Sequence, residues 1–112
     1  EFGVNPDRGP IITGHTPVCL YGTNTISAVP VVHKQSLYPI CIDVSHPAGQ
    51  RDLVPSLAYA AVAAGCDSIM IEVHPNPPKA LSDGPQQLTP AQFADLVAEL
   101  RKIAAVFGKR IV

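Results

Sequence analysis

A chain of 112 residues with 46% apolar content fits one small folded unit and is too apolar for a disordered segment. Eight basic and nine acidic residues leave a net charge of −1 with no basic stripe, which excludes recognition of a nucleic-acid backbone. No apolar run approaches the roughly 18 residues that span a bilayer, and the start lacks the basic-then-apolar order of a secretory leader, so no membrane partner and a cytoplasmic location are expected.

Residues 1–16 carry turn formers without a period of 2 or 3.6 and read as an irregular lead to a domain over 17–112. From Pro17 short β-rich runs alternate with longer helical stretches, the pattern of βα units with parallel strands. Val18 to Tyr21 predicts a first strand, and 27–33 a helix whose regularity Pro30 restricts. Pro39-Ile40-Cys41-Ile42-Asp43-Val44 predicts a second strand, followed by Asp52 as N-cap of an apolar helix over 53–64 that Gly65 ends. A third strand, of the buried type, is predicted over 68–73.

Thr89-Pro90-Ala91-Gln92 then spells a capping box with proline at the first helical position. Phe93, Leu96, Val97, Leu100, Ile103, Ala104 and Phe107 recur at helical spacing on one face, which must pack on something, and Gly108 stops the helix. The expected class is α/β, with about three strands and three helices in an open parallel sheet. An open sheet exposes a strand edge and apolar helix faces, so a homo-oligomer or a partner chain is expected. Cys19, Cys41 and Cys66, odd in number and far apart, read as reduced core residues.

His46 and Glu72 fall at or just past the carboxyl ends of the second and third predicted strands, and Asp83 lies in the loop after the third. Parallel α/β folds gather reactive groups at those ends, and adjacent strands would bring the three together. One imidazole and two carboxylates suit Mn²⁺, Fe²⁺, Co²⁺ or Zn²⁺, with room for water or substrate, and such an ion can polarise a carbonyl oxygen. The same residues also admit ordinary loop chemistry: a hydrogen-bonded histidine, and carboxylates that cap helices or face water. Asp43 fits either a partner that orients a metal-binding side chain or a structural turn. His74, before Pro75, shapes its loop, with a direct catalytic role as the alternative. Arg51 suits either a substrate phosphate or a surface ion pair. Lys79 reads as solvated, and His15 and His33 have no recognisable partner.

Three separated motifs, the stretch from Asp43 to Arg51, Ile71-Glu72-Val73-His74-Pro75, and the stretch from Ala80 to Gln86, resemble the last two strand ends of type I beta 3-deoxy-7-phosphoheptulonate (DAHP) synthases. The resemblance runs from about Cys19 to the C-terminus and includes Ser27-Ala28-Val29-Pro30. It implies the C-terminal βα units of a TIM (β/α)8 barrel, incomplete here because such a barrel occupies roughly 250 residues. In that family the histidine, glutamate and aspartate at these motif positions bind the divalent metal, and they map onto His46, Glu72 and Asp83. The implied reaction is the aldol-type condensation of phosphoenolpyruvate with erythrose 4-phosphate, leading through the shikimate pathway to aromatic amino acids.

Two phosphorylated substrates call for several lysines and arginines. Most of the family's phosphate-binding residues, and its cysteine metal ligand, lie on earlier strands that this chain does not contain. Cys19 resembles instead the cysteine of a later Cys-Glu-Arg-Gly motif, contracted here to Cys19-Leu20-Tyr21-Gly22-Thr23-Asn24-Thr25 with the loss of two or more family arginines. Asp43-Val44-Ser45-His46 departs from the family's Asp-Pro-Ser-His. The expectation is a metal-dependent synthase not competent as this chain alone. Its rivals are a noncatalytic metal-binding or assembly module and the related 3-deoxy-manno-octulosonate 8-phosphate synthase, against which the stretch from Ser45 to Gly49 argues.

Overall fold

In the computed structural model, residues 4–5, 9–10 and 23–112 are described; the predicted strand at 18–21, with His15 and Cys19, lies outside them. Strands β1 (Val4–Asn5) and β2 (Gly9–Pro10) pair antiparallel. Helix α1 (Thr23–Gln35) extends the predicted helical stretch at both ends. Pro30 is accommodated within it on the exposed side, while Ala28, Val29 and Val32 face the core.

The part that positions the site is a βαβ unit. Strand β3 (Cys41–Asp43) and strand β4 (Ser68–Met70) are parallel, with Cys41 opposite Ser68, Ile42 opposite Ile69 and Asp43 opposite Met70. Between them come helix α2 (Ser45–Ala48), a 3-10 turn at Arg51–Leu53 and helix α3 (Val54–Ala64). Helix α2 is an unforeseen addition, a single turn set directly on the end of β3. It makes four α-helices among the described residues, where about three were expected.

Both strands are shorter than predicted. Among the described residues β4 has a partner strand on one side only, and Ile69 and Ile71 are half-buried rather than enclosed as the apolar run suggested. Beyond β4 a single parallel bridge joins Val73 to Leu88. The Leu88 N–H donates to the Glu72 carbonyl at 3.0 Å, and the His74 N–H to the Leu88 carbonyl at 2.9 Å. Leu88 is 2% exposed, and burying such a side chain contributes roughly 2 kcal/mol, so these bonds clamp the loop over 74–87 at its base.

Asp52 does not cap α3. The 3-10 turn displaces the helix start, Leu53 occupies the cap without a side-chain bond, and Pro55 in the first turn removes one N–H that would want a partner. Gly65 ends the helix as expected, in a left-handed conformation (φ 93°) open to glycine without strain. Helix α4 (Pro90–Val106) begins with the predicted capping box, Thr89 and Gln92 each bonding the other's backbone N–H. Helix α3 packs against both α1 and α4, and the fully buried Ala58 and Ala61 keep its surface low. Of the apolar face foreseen on α4, Leu96, Leu100 and Ala104 are buried, whereas Phe93 and Phe107 stay exposed. The stripe is wider than the neighbour it meets.

Candidate metal centre

The site is built from the end of β3 outward. Asp43, 1% exposed, accepts at Oδ1 from the backbone N–H groups of Ser45 (2.9 Å) and His46 (3.2 Å), and its Oδ2 holds Nδ1 of His46. One buried carboxylate therefore both starts the α2 turn, the structural role the sequence allowed, and holds the imidazole. A buried charge needs this number of donors. With Nδ1 bonded to Asp43, Nε2 of His46 is left to face the end of β4, 3.5 Å from Oε1 of Glu72.

Glu72 is fixed by its backbone from both sides. Its N–H donates to the fully buried Oγ of Ser45 at 2.9 Å, and its carbonyl accepts from Leu88. Ser45 thus ties the end of one strand to the end of its neighbour. In the sequence Ser45 stands out only as part of the Asp43-Val44-Ser45-His46 motif and of the stretch to Gly49, with nothing to mark this bond. Gln86, 7% exposed, donates from Nε2 to Oε2 of Glu72 at 3.3 Å. In the sequence Gln86 is marked only by its place at the end of the stretch from Ala80 to Gln86.

Asp83 sits in a left-handed backbone conformation (φ 57°) that non-glycine residues rarely adopt. Its loop is secured from several directions. Arg51 donates from Nε to the Gln87 carbonyl at 2.5 Å and from a terminal nitrogen to the Gly84 carbonyl at 3.1 Å, while its own N–H donates to the Pro85 carbonyl. Neither role considered for Arg51, a substrate phosphate or an ion pair, matches this use. At Gly84 a Cβ would lie 2.5 Å from the Pro77 carbonyl oxygen, so only glycine lets the two segments of the loop approach.

The outcome is that one donor atom each from His46, Glu72 and Asp83 lies within 4.8 Å of the others. Two of the residues are half-buried and Asp83 is exposed. A nitrogen and two carboxylate oxygens converging so closely fit a divalent cation, and among the described residues these three could hold one. Burial disfavours a charged His46, but the hydrogen bond to Asp43 and the negative charges of Asp43, Glu72 and Asp83 outweigh it and raise the imidazole pKa above its ordinary value.

The other candidates fall into place around this cluster. His74 accepts at Nδ1 from the Asn76 N–H at 2.9 Å, a loop-shaping bond as read from the sequence. His33 does have a partner: its Nε2 lies 2.7 Å from Asp67 Oδ2, 34 positions away and beyond what spacing reveals. Lys79 is exposed. Cys41 and Cys66 are free thiols, and burial pushes that of Cys66 up to about 11, as suits an inert core residue. No described helix is long and apolar enough to cross a membrane.

Parallel strands joined through helices, with polar groups gathered where the strands end, place the protein among the α/β proteins that build their sites from strand-end loops. Comparison with known proteins narrows the class. Residues 7–106 match the DAHP synthetase I family, and the chain belongs to that family. The match begins inside the stretch read as an irregular lead. The chain is 49% identical over 89 residues to the phospho-2-dehydro-3-deoxyheptonate aldolase of Thermotoga maritima, covering 80% of this chain and 26% of that protein. It is 40% identical over 96 residues to a 2-dehydro-3-deoxyphosphooctonate aldolase of Desulfosudis oleivorans, covering 72% and 34%. The crystal structure of the Thermotoga maritima aldolase, a DAHP synthase, matches with a TM-score of 0.75 over 78% of this chain and 26% of that one. The chain thus spans about a quarter to a third of the length of these relatives.

Proposed function

We propose that this protein carries the strand-end metal site of a DAHP synthase and serves the condensation of phosphoenolpyruvate with erythrose 4-phosphate. The observation that carries the reading is the convergence of His46, Glu72 and Asp83 within 4.8 Å in a chain of the DAHP synthetase I family. The ligands would be Nε2 of His46 and one carboxylate oxygen each from Glu72 and Asp83, and the ion Mn²⁺, Fe²⁺, Co²⁺ or Zn²⁺. When bound, such an ion supplies Lewis-acid polarisation of a substrate carbonyl.

The chain's own residues prepare that chemistry. Asp43 bonds Nδ1 of His46, and an imidazole that carries its proton on that nitrogen would leave the Nε2 lone pair to the cation. Ser45 and Leu88 immobilise the backbone of Glu72, and Arg51 holds the Asp83 loop against the start of α3. The same reading places the βα units in a (β/α)8 barrel in a cytoplasmic enzyme, with other strands covering the free edge of β4. The higher identity to the heptonate aldolase than to the octonate aldolase favours the seven-carbon product.

The test is calorimetric titration of Mn²⁺ and Zn²⁺ into the purified protein, into His46→Ala and into Glu72→Ala, each with and without phosphoenolpyruvate. The expected result is binding at roughly micromolar Kd or tighter that both substitutions abolish, and phosphoenolpyruvate binding to the loaded protein would favour a working synthase. A folded protein that binds neither metal would sink the reading. Metal binding without any response to phosphoenolpyruvate would favour a noncatalytic metal-binding module.

A further inference from the structure

We propose that Gln86 is a positioning residue that decides which oxygen of Glu72 faces the cation, and thereby sets the preference of the site among divalent metals; this rests on the metal reading above. The two oxygens of Glu72 are already distinguished. Oε2 accepts from the Gln86 amide at 3.3 Å, while Oε1 lies 3.5 Å from Nε2 of His46. The Glu72 backbone is held through its N–H by Ser45 and through its carbonyl by Leu88. Those backbone bonds leave the side-chain torsions of Glu72 free, and the Gln86 amide is a hydrogen-bond donor that restrains its carboxylate.

Gln86 is also part of the turn that presents the other carboxylate. Its backbone N–H donates to the Asp83 carbonyl at 3.1 Å, so its side chain reaches Glu72 from a base shared with Asp83. The choice of an amide matters. A neutral donor orients a carboxylate without cancelling the charge that attracts a cation, whereas lysine or arginine would compete with the metal and a second carboxylate would repel. With Oε2 engaged, Glu72 offers one oxygen, which suits the low coordination number of Zn²⁺. Releasing Oε2 permits two-oxygen binding, which suits an ion such as Mn²⁺ that takes more oxygen ligands.

Gln86→Met keeps the size of the side chain and removes the donor. Circular dichroism and thermal unfolding establish that the variant is folded, and calorimetry then measures Zn²⁺ and Mn²⁺ affinity beside wild type and Glu72→Ala. Zn²⁺ affinity is expected to fall by about 10- to 100-fold and Mn²⁺ affinity by less, so that the Mn²⁺ to Zn²⁺ affinity ratio rises. In wild type, the side-chain amide resonance of Gln86 should shift on Zn²⁺ addition and stay put in Glu72→Ala, a measurement that does not depend on the folding of Gln86→Met. A folded Gln86→Met with unchanged affinities, or an amide resonance indifferent to saturating Zn²⁺ in wild type, overturns the inference. If Glu72→Ala abolishes binding while Gln86→Met leaves it intact, only the role of Gln86 falls. If Glu72→Ala binds as wild type does, the metal site itself is misplaced.

Discussion

Asp83 combines an exposed carboxylate with a backbone conformation that an L residue adopts at a cost of about 1 kcal/mol. Strain kept at a side chain with no burial to offer points to a use for that side chain. Asp83→Gly is therefore expected to stabilise the fold by up to about 1 kcal/mol, seen as a higher Tm, while metal binding followed by calorimetry is lost. A glycine variant that melts earlier and still binds metal would show that Asp83 serves packing instead. His46 and Glu72 could be placed from the sequence because each stands at or just past the end of an apolar run, but naming them with Asp83 as ligands took the resemblance of the surrounding motifs to the family. Ser45 and Gln86 were not legible, since a buried polar residue with one decisive hydrogen bond leaves no period to read. Asp43 was half legible: the sequence admits an orienting role or a structural turn, and the geometry shows one carboxylate bonding both the turn's N–H groups and the imidazole.

Among the elements, the start of β4 depends on a single carboxylate. Asp67 accepts from the Ile40 N–H at 2.8 Å and from His33 at 2.7 Å, joining the end of α1 to both strands of the parallel pair. Burial alone would raise the pKa of Asp67, but the Ile40 hydrogen bond, the His33 hydrogen bond and the positive charges of His33 and Lys109 together lower it. A carboxyl whose pKa is lower folded than unfolded stabilises fully above its unfolded value, about 3.9, and loses that contribution as the pH falls through the folded value. Urea midpoints for wild type and Asp67→Asn should therefore differ at about pH 4, and the gap should close in more acid solution. A gap that widens on acidification would contradict this linkage.

What could be read of the elements follows the same division between local and distant causes. The capping box of α4 lies within four consecutive residues and was read correctly. The Asp52 cap failed because Pro55 and the 3-10 turn moved the helix start, and the enclosure of β4 was overread because cover comes from elements distant in sequence.

For the molecule as a whole, the exposed Phe93, Val106 and Phe107 and the side of β4 that has no strand among the described residues are surfaces suited to burial against another chain. Light scattering coupled to size exclusion is expected to report a mass above that of one chain at micromolar concentration, falling on dilution together with the helical signal. A well-folded monomer that resists dilution would count against it. The parallel βα character was legible from the alternation of apolar runs, whereas the packing partners of the outer faces were not, because a sequence shows which side is apolar and not what lies against it. A different consequence follows from where the proposed ligands sit. All three belong to one βαβ unit and its following loop, with 26 positions from His46 to Glu72 and 11 more to Asp83. Chain entropy opposes their meeting only through two modest closures, so the cluster belongs to the low-contact-order part of the fold. Its assembly can precede that of the surrounding surfaces, and a cation arriving early would find its donors close together and would favour the compact state from the outset.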